Sequence, residues 1–168
     1  LAFSFIGLAL SVTPLRVLFP NFAFNAALTR ARRAFGVSAC AFAFVHVALQ
    51  FTFLFGGSLD NVLAANVQNG GYITLGFAAL VSVFLLAITS TDWAVRKLGK
   101  KWVQLHKLAY LAFPLIFIHA LRIGVDFRNL NAFSGLFFLI AIATLFLESV
   151  RLYKKYAEKA PQPPSGSG

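Results

Sequence analysis

Residues 103–123, VQLHKLAYLAFPLIFIHALRI, decide the fold. The run has the length of roughly 20 mostly apolar residues that crosses a bilayer as one helix. It carries two histidines, His106 and His119. Ionisable side chains at membrane depth are costly and usually serve function. The chain's third and last histidine, His46, lies in another apolar run, residues 39–55.

Working outward, composition supports the membrane reading. Hydrophobic residues make up 59% of the 168 and charged ones 12%, at a mean hydropathy of +0.77. Soluble domains carry about 25% charged residues, so an apolar soluble bundle is set aside. Twenty phenylalanines suit a lipid-facing surface or the walls of an apolar pocket. The net charge of +10 is clustered beside the apolar runs: Arg30, Arg32 and Arg33; Arg96, Lys97, Lys100 and Lys101; Arg151, Lys154, Lys155 and Lys159. That is the pattern of cytoplasmic loops, so no nucleic-acid partner is expected. The single Cys40 excludes a disulfide within the chain and any cysteine-held metal cluster, and reads as a small buried hydrophobe.

Five apolar segments follow: residues 1–12, 35–55, 72–91, 103–123 and 132–150. The first is short, and part of a helix or a whole preceding helix is expected before it. A polar loop at 58–71 separates the second and third, a basic loop at 92–101 the third and fourth, and a turn at 126–131 the last two. The expected fold is an all-α membrane protein, a bundle of five transmembrane helices. Residues 1–153 form the membrane domain. Residues 154–168 form a polar cytoplasmic tail, disordered from 160, with 165–168 resembling a linker.

Orientation follows from counting Lys and Arg. With the loops after segments one and three and the C-terminal tail on one side, that side holds 13 of the 15, leaving Arg122 and Arg128 opposite. The basic side is read as cytoplasmic. His106 then lies near the inner end of its segment and His119 near the outer end. At about 1.5 Å per residue, His119 sits roughly 6 Å from residue 123 and His46 roughly 13 Å from residue 55. A tilted haem could span that difference, since neutral imidazole is the commonest protein ligand of haem iron. His106 and His119 lie about 20 Å apart along one helix, too far to share an iron. The economical site is an outer haem held by His46 and His119, with His106 as an inner ligand lacking a histidine partner. Two alternatives stay open for any one histidine: a helix-to-helix hydrogen bond, or a non-redox structural or pigment-binding role.

Two further features bear on the site. Arg32 precedes His46 by nearly four helical turns and so shares its face, near the level of His106. Its planar fork could hold a haem propionate or a flavin phosphate, while both Arg32 and Arg33 also read as topology anchors at a helix end. His106 and His119 are about 140° apart on an ideal helix. Pro114 lies between them and can kink or re-register the helix. Glu148 reads as a helix-end charge, and there is no Gly-rich dinucleotide motif.

Residues 13–123 resemble the ferric-reductase-like transmembrane domain, within it most of all the haem-binding membrane subunit of bacterial periplasmic methionine-sulfoxide reductase systems. The resemblance rests on an ordered set: Thr13-Pro14-Leu15, Arg32-Arg33 with Gly36 leading to His46, and Tyr72-Ile73-Thr74-Leu75-Gly76. It continues through Thr89-Ser90-Thr91, Arg96-Lys97-Leu98-Gly99-Lys100 with Trp102, Leu105-His106 and Ile118-His119. It implies six helices in the family, the first absent here, and b-type haem, one or two, at His46, His106 and His119. It also implies electron transfer in the bacterial inner membrane, from a cytoplasmic flavin reductase or membrane quinol to a periplasmic molybdopterin-containing reductase subunit. FMN is linked to the family as well. Related oxidases and ferric reductases carry two histidines on each of two helices; here Arg32 stands at the level of the fourth. A stand-alone ferric or oxygen reductase is the alternative within the same broad class.

Overall fold

The computed structural model describes residues 1–123 and 132–157, and among these residues it is helical with no strand. Eight α-helices run in order: α1 Ala2–Leu18, α2 Asn25–Leu49, α3 Leu59–Gln68, α4 Tyr72–Ile88, α5 Asp92–Leu98, α6 Lys100–Leu105, α7 Leu108–Ile123 and α8 Ala132–Ala157. A π-helical turn, Gln50–Leu54, extends α2. Three stretches are long and apolar enough to cross a membrane: Asn25–Leu54, Lys100–Ile123 and Ser134–Ala157. A fourth arises if α3 and α4, bent by 116° to each other, count as one span, and α1 is a shorter apolar helix. The chain is an all-α membrane protein. Of the five expected spans, those at α1 and α4 are single helices of 17 residues each.

Several boundaries differ from the sequence reading, each for a local reason. α1 continues past residue 12 through the buried Pro14 to Leu18. α2 begins ten residues before Phe35 because Asn25 to Ala34 contains neither Gly nor Pro, so Arg30, Arg32 and Arg33 are helical. Residues 58–71, read as a loop, contain α3: the Ser58 hydroxyl accepts from the Asn61 N–H at 3.4 Å and Asp60 sits in the first turn. Both features favour a helix start. Residues 92–101, read as a basic loop, hold α5 and the start of α6. The Thr91 side chain caps α5 by accepting from Ala94 N–H at 3.2 Å.

The run 103–123 is interrupted at His106 and Lys107, not at Pro114, which lies inside α7. The bonds there step back three residues, from Lys107 N–H to Gln104 O (3.2 Å) and from Tyr110 N–H to Lys107 O (2.9 Å). α8 continues seven residues past Val150, so Glu148 lies within a helix and pairs with Arg151 at 2.9 Å. The expected turn at 126–131, with Arg128, and the tail beyond 157 lie outside the described residues.

α1 is the hub, packing on α2, α7 and α8, while α4 packs on α7 and α2. The core joins Phe3, Ile6 and Leu10 to Ala39 and Cys40, Val83, Ala112 and Phe113, and Ala141. Cys40 is buried and unpaired, as the sequence suggested. Small residues let α1 and α8 approach: a methyl on Gly7 would lie 2.7 Å from Ile140 Cγ2, and the Ser11 and Thr144 hydroxyls are 3.5 Å apart.

Polar ties fix the two ends. At the basic end, Arg33 reaches Asp92 at 2.6 Å and Trp102 Nε1–H donates to Thr89 O at 2.9 Å. At the other end, Asn66 and Thr74 exchange two hydrogen bonds, holding α3 across the bend from α4.

Candidate functional site

The end opposite the basic clusters brings α2, α4 and α7 together around two histidines. The rings of His46 on α2 and His119 on α7 face each other, with centroids 6.4 Å apart and planes at 86°. His119 is half-buried and His46 exposed along the helix surface. His119 Nδ1 lies 2.8 Å from the carbonyl oxygen of Tyr72, the first residue of α4. A carbonyl can only accept, so Nδ1 carries a proton, and in the neutral ring the free lone pair is then on Nε2. This carbonyl support is the usual way a protein orients a metal-binding imidazole.

Gly76 makes the contact possible. A Cβ there would fall 2.5 Å from His119 Cε1 and 2.6 Å from Nδ1. Gly76 stands four residues after Tyr72, the residue whose N–H meets the Tyr72 carbonyl in a regular helix. With no side chain at that position, the same carbonyl stays open on its flank to His119. Neither Tyr72 nor Gly76 was singled out as a site residue from sequence. The signal was their four-residue spacing at the start of an apolar helix.

The donor set selects what could bind. Among the described residues no three His, Cys, Asp or Glu side chains cluster to close a shell around a bare metal ion. Two opposed imidazoles instead suit a metal whose other ligands come from a flat macrocycle. Two metal–nitrogen bonds of about 2 Å, plus about 1.1 Å from each nitrogen to its ring centre, put the centroids about 6 Å apart. The observed 6.4 Å leaves room for one metal between the rings, so His46 and His119 are the residues that could hold a haem iron.

His106 lies apart, at the basic end. Its ring stacks on Trp102, centroids 3.8 Å apart, and its Nδ1–H donates to Trp102 O at 3.1 Å. Arg32, on α2, lies within electrostatic reach of His106 and lines a cleft against α1. Arg33 points elsewhere, into its ion pair with Asp92. The structure thus joins His46 to His119, sets His106 and Arg32 at the other end, and separates Arg33 from both. Arg122, one turn past His119, stacks over the Tyr72 ring at 5.0 Å.

A multi-pass helical membrane protein with opposed imidazoles between its apolar helices is the class that fold and site define. The chain belongs to the family described as the ferric reductase like transmembrane component, which it matches over residues 1–117. It is 37% identical over 118 residues to the protein-methionine-sulfoxide reductase heme-binding subunit MsrQ of Agrobacterium fabrum, covering 70% of this chain and 52% of that protein. With the protein of the same name from Brucella anthropi it shares 38% over 111 residues, 66% of this chain and 48% of the relative. With that from Brucella ovis it shares 32% over 162 residues, 96% and 70%. The chain therefore spans about half the length of the first two relatives. No solved structure matches it.

Proposed function

We propose that this chain is a haem-binding membrane subunit that carries electrons across the bacterial inner membrane to a methionine-sulfoxide reductase partner. The observation that carries the reading is the His46–His119 pair at 6.4 Å, with Tyr72 O fixing the His119 tautomer. Three named relatives point the same way. In this reading the basic end and the C-terminus are cytoplasmic, in keeping with the positive-inside rule.

Haem, when bound, supplies one-electron carriage through its iron, at a potential set by its axial ligands and surroundings. The chain's own part is positioning. His119 is held by Tyr72 O and crowded against Gly76, so its ring is fixed before any ligand arrives. His46 offers the second imidazole from the exposed surface of α2, where the bilayer's apolar interior would surround it. At the inner end His106, stacked on Trp102, is the proposed second ligand position or relay, and Arg32 the anchor for an anionic group. Arg33 serves there as a tie to α5. Electrons are proposed to come from a cytoplasmic flavin reductase or membrane quinol. Their proposed acceptor is a periplasmic molybdopterin-containing subunit, which performs the sulfoxide reduction. The family's description as ferric reductase like supports a second reading, direct reduction of ferric iron; a stand-alone reductase of oxygen belongs to the same alternative.

The test is a reduced-minus-oxidised absorbance spectrum of the purified chain after expression with ample haem. A b-type signal is expected, abolished by His46→Ala and by His119→Ala and retained by His106→Ala. No signal in the parent chain would end the haem reading. Loss in His106→Ala with retention in His119→Ala would reverse the pairing.

A further inference from the structure

Where α1 and α2 part at the basic end they leave a cleft of about 150 Å³ lined by Val12, Thr13, Arg16, Thr29 and Arg32. Two guanidinium groups and two hydroxyls border it, and no carboxylate does. Among the described residues neither Arg16 nor Arg32 is ion-paired, although Arg33, beside Arg32, is held by Asp92. The acids described at this end are thus paired elsewhere, Asp92 with Arg33 and Glu148 with Arg151. Thr29 gives its hydrogen to Asn25 O at 2.8 Å. The Thr13 hydroxyl has no hydrogen-bond partner among the described residues and remains a donor.

Two cations around one small cavity repel each other unless an anion enters it. Arginine forks match phosphate oxygens in paired, charge-assisted hydrogen bonds. The cleft's surroundings argue for the source of that phosphate. Its Arg16 lies two residues from the end of α1, and the connection to α2 exposes Phe19, Phe22 and Phe24, an apolar rim beside the charged cleft of the kind that suits acyl chains next to headgroups. Basic pockets between transmembrane helices on the cytoplasmic side are places where anionic headgroups bind.

We propose that the Arg16–Arg32 cleft binds the phosphate of an anionic phospholipid from the adjoining leaflet. This gives the anion held by Arg32 a chemical class. It rests on the reading of Arg32 as an anion anchor and not on the haem. The lipid would brace α1 against α2 where two guanidinium groups, unpaired among the described residues, face one cleft.

The experiment uses the full chain reconstituted in mixed phosphatidylglycerol and phosphatidylcholine, extracted gently, and weighed by native mass spectrometry. Retention of one phosphatidylglycerol in preference to phosphatidylcholine is expected. Arg16→Gln and Arg32→Gln should each lower that retention about tenfold, the loss of one charge-assisted bond. Arg30→Gln, at the same end but outside the cleft, should leave it unchanged. If Arg16→Gln fails to fold, Arg16→Lys replaces it and is expected to weaken retention, since the paired fork is lost.

Equal retention of both lipids, or equal retention in the Arg16 and Arg30 variants, would overturn the proposal. Parallel samples receive inorganic phosphate or FMN. Capture of either in the cleft, with no bound phosphatidylglycerol, would make the source a soluble phosphate and overturn the lipid assignment. Haem absorbance is read on every sample. Its absence in the parent chain would remove the haem reading and leave the lipid result standing.

Discussion

Gly76→Ala tests the reasoning about the site most directly. The added methyl would stand 2.5 Å from His119 Cε1 and 2.6 Å from Nδ1, well inside contact distance. A free side chain would swing away at little cost. This ring cannot, because its Nδ1–H is committed to Tyr72 O at 2.8 Å and the His46 ring stands 6.4 Å away, centroid to centroid. Relief therefore requires breaking that hydrogen bond or spreading α4 from α7. Overpacking costs about 1–3 kcal/mol and the lost hydrogen bond about 1 kcal/mol, so a loss of about 2–4 kcal/mol is expected. Gly36→Ala is the matched control, since a methyl there meets nothing within 4 Å. Being in a helix interior, it should be neutral or stabilise by up to about 1 kcal/mol. Thermal unfolding of both variants in one detergent, with the haem-to-protein absorbance ratio, gives the answer. Gly76→Ala should unfold earlier and hold less haem. A variant matching Gly36→Ala in both readouts would refute the proposed crowding of His119.

Three further outcomes are expected. Trp102→Phe keeps a ring against His106 but loses the donor to Thr89 O; about 1 kcal/mol should lower the melting temperature by roughly 2–4 °C, and no change would mean the bond is idle. Gly7→Ala should destabilise by about 1–3 kcal/mol through Ile140, and Ile140→Ala in the same chain should recover part of it in a double-mutant cycle. Strict additivity would show that the α1–α8 seam is not in contact there. Asp92 is held below the usual carboxylate range, first by its hydrogen bond from Arg33 and then by that residue's charge. With the folded pKa depressed, the pair's contribution is present above the ordinary value of about 4 and is lost as pH falls through the lower folded value. Both groups are well exposed, so the effect should be small, should vanish in high salt, and should be missing in Asp92→Asn when melting is followed from pH 6 downward.

What the sequence disclosed and what it hid divide along the range of the interactions. Depth along two helices is a local quantity, and it anticipated that His46 would meet His119 and that His106 would stand apart. Arg32 was correctly placed on the His46 helix by counting turns. The helix over residues 59–68 was obscured because Asn61, Asn66 and Asn69 read as turn residues, while the Ser58 cap needed geometry to be seen. Pro114 is the visible breaker in the run and reads as the place for a kink, yet the interruption falls at His106–Lys107 while the exposed Pro114 stays inside α7. Arg33 and Asp92 are 59 positions apart, and no local rule pairs them. Gly76 stands in the sequence only as the end of the Tyr72–Gly76 stretch that carries the resemblance; the ring lying against it shows why nothing larger fits.

The central place of α1 has a consequence for biosynthesis. Its seam with α8 joins Ser11 to Thr144, 133 positions later. At about 5–20 residues per second, the ribosome needs roughly 7–27 s to make that partner. Throughout that interval one flank of α1 faces lipid or the insertion machinery. His119 is made before Thr144, so the three helices around the histidine pair can associate while that flank is still open. Closure by α8 then comes last, and a slow or failed closure would leave a chain whose histidines already face each other but whose hub is uncovered on one side.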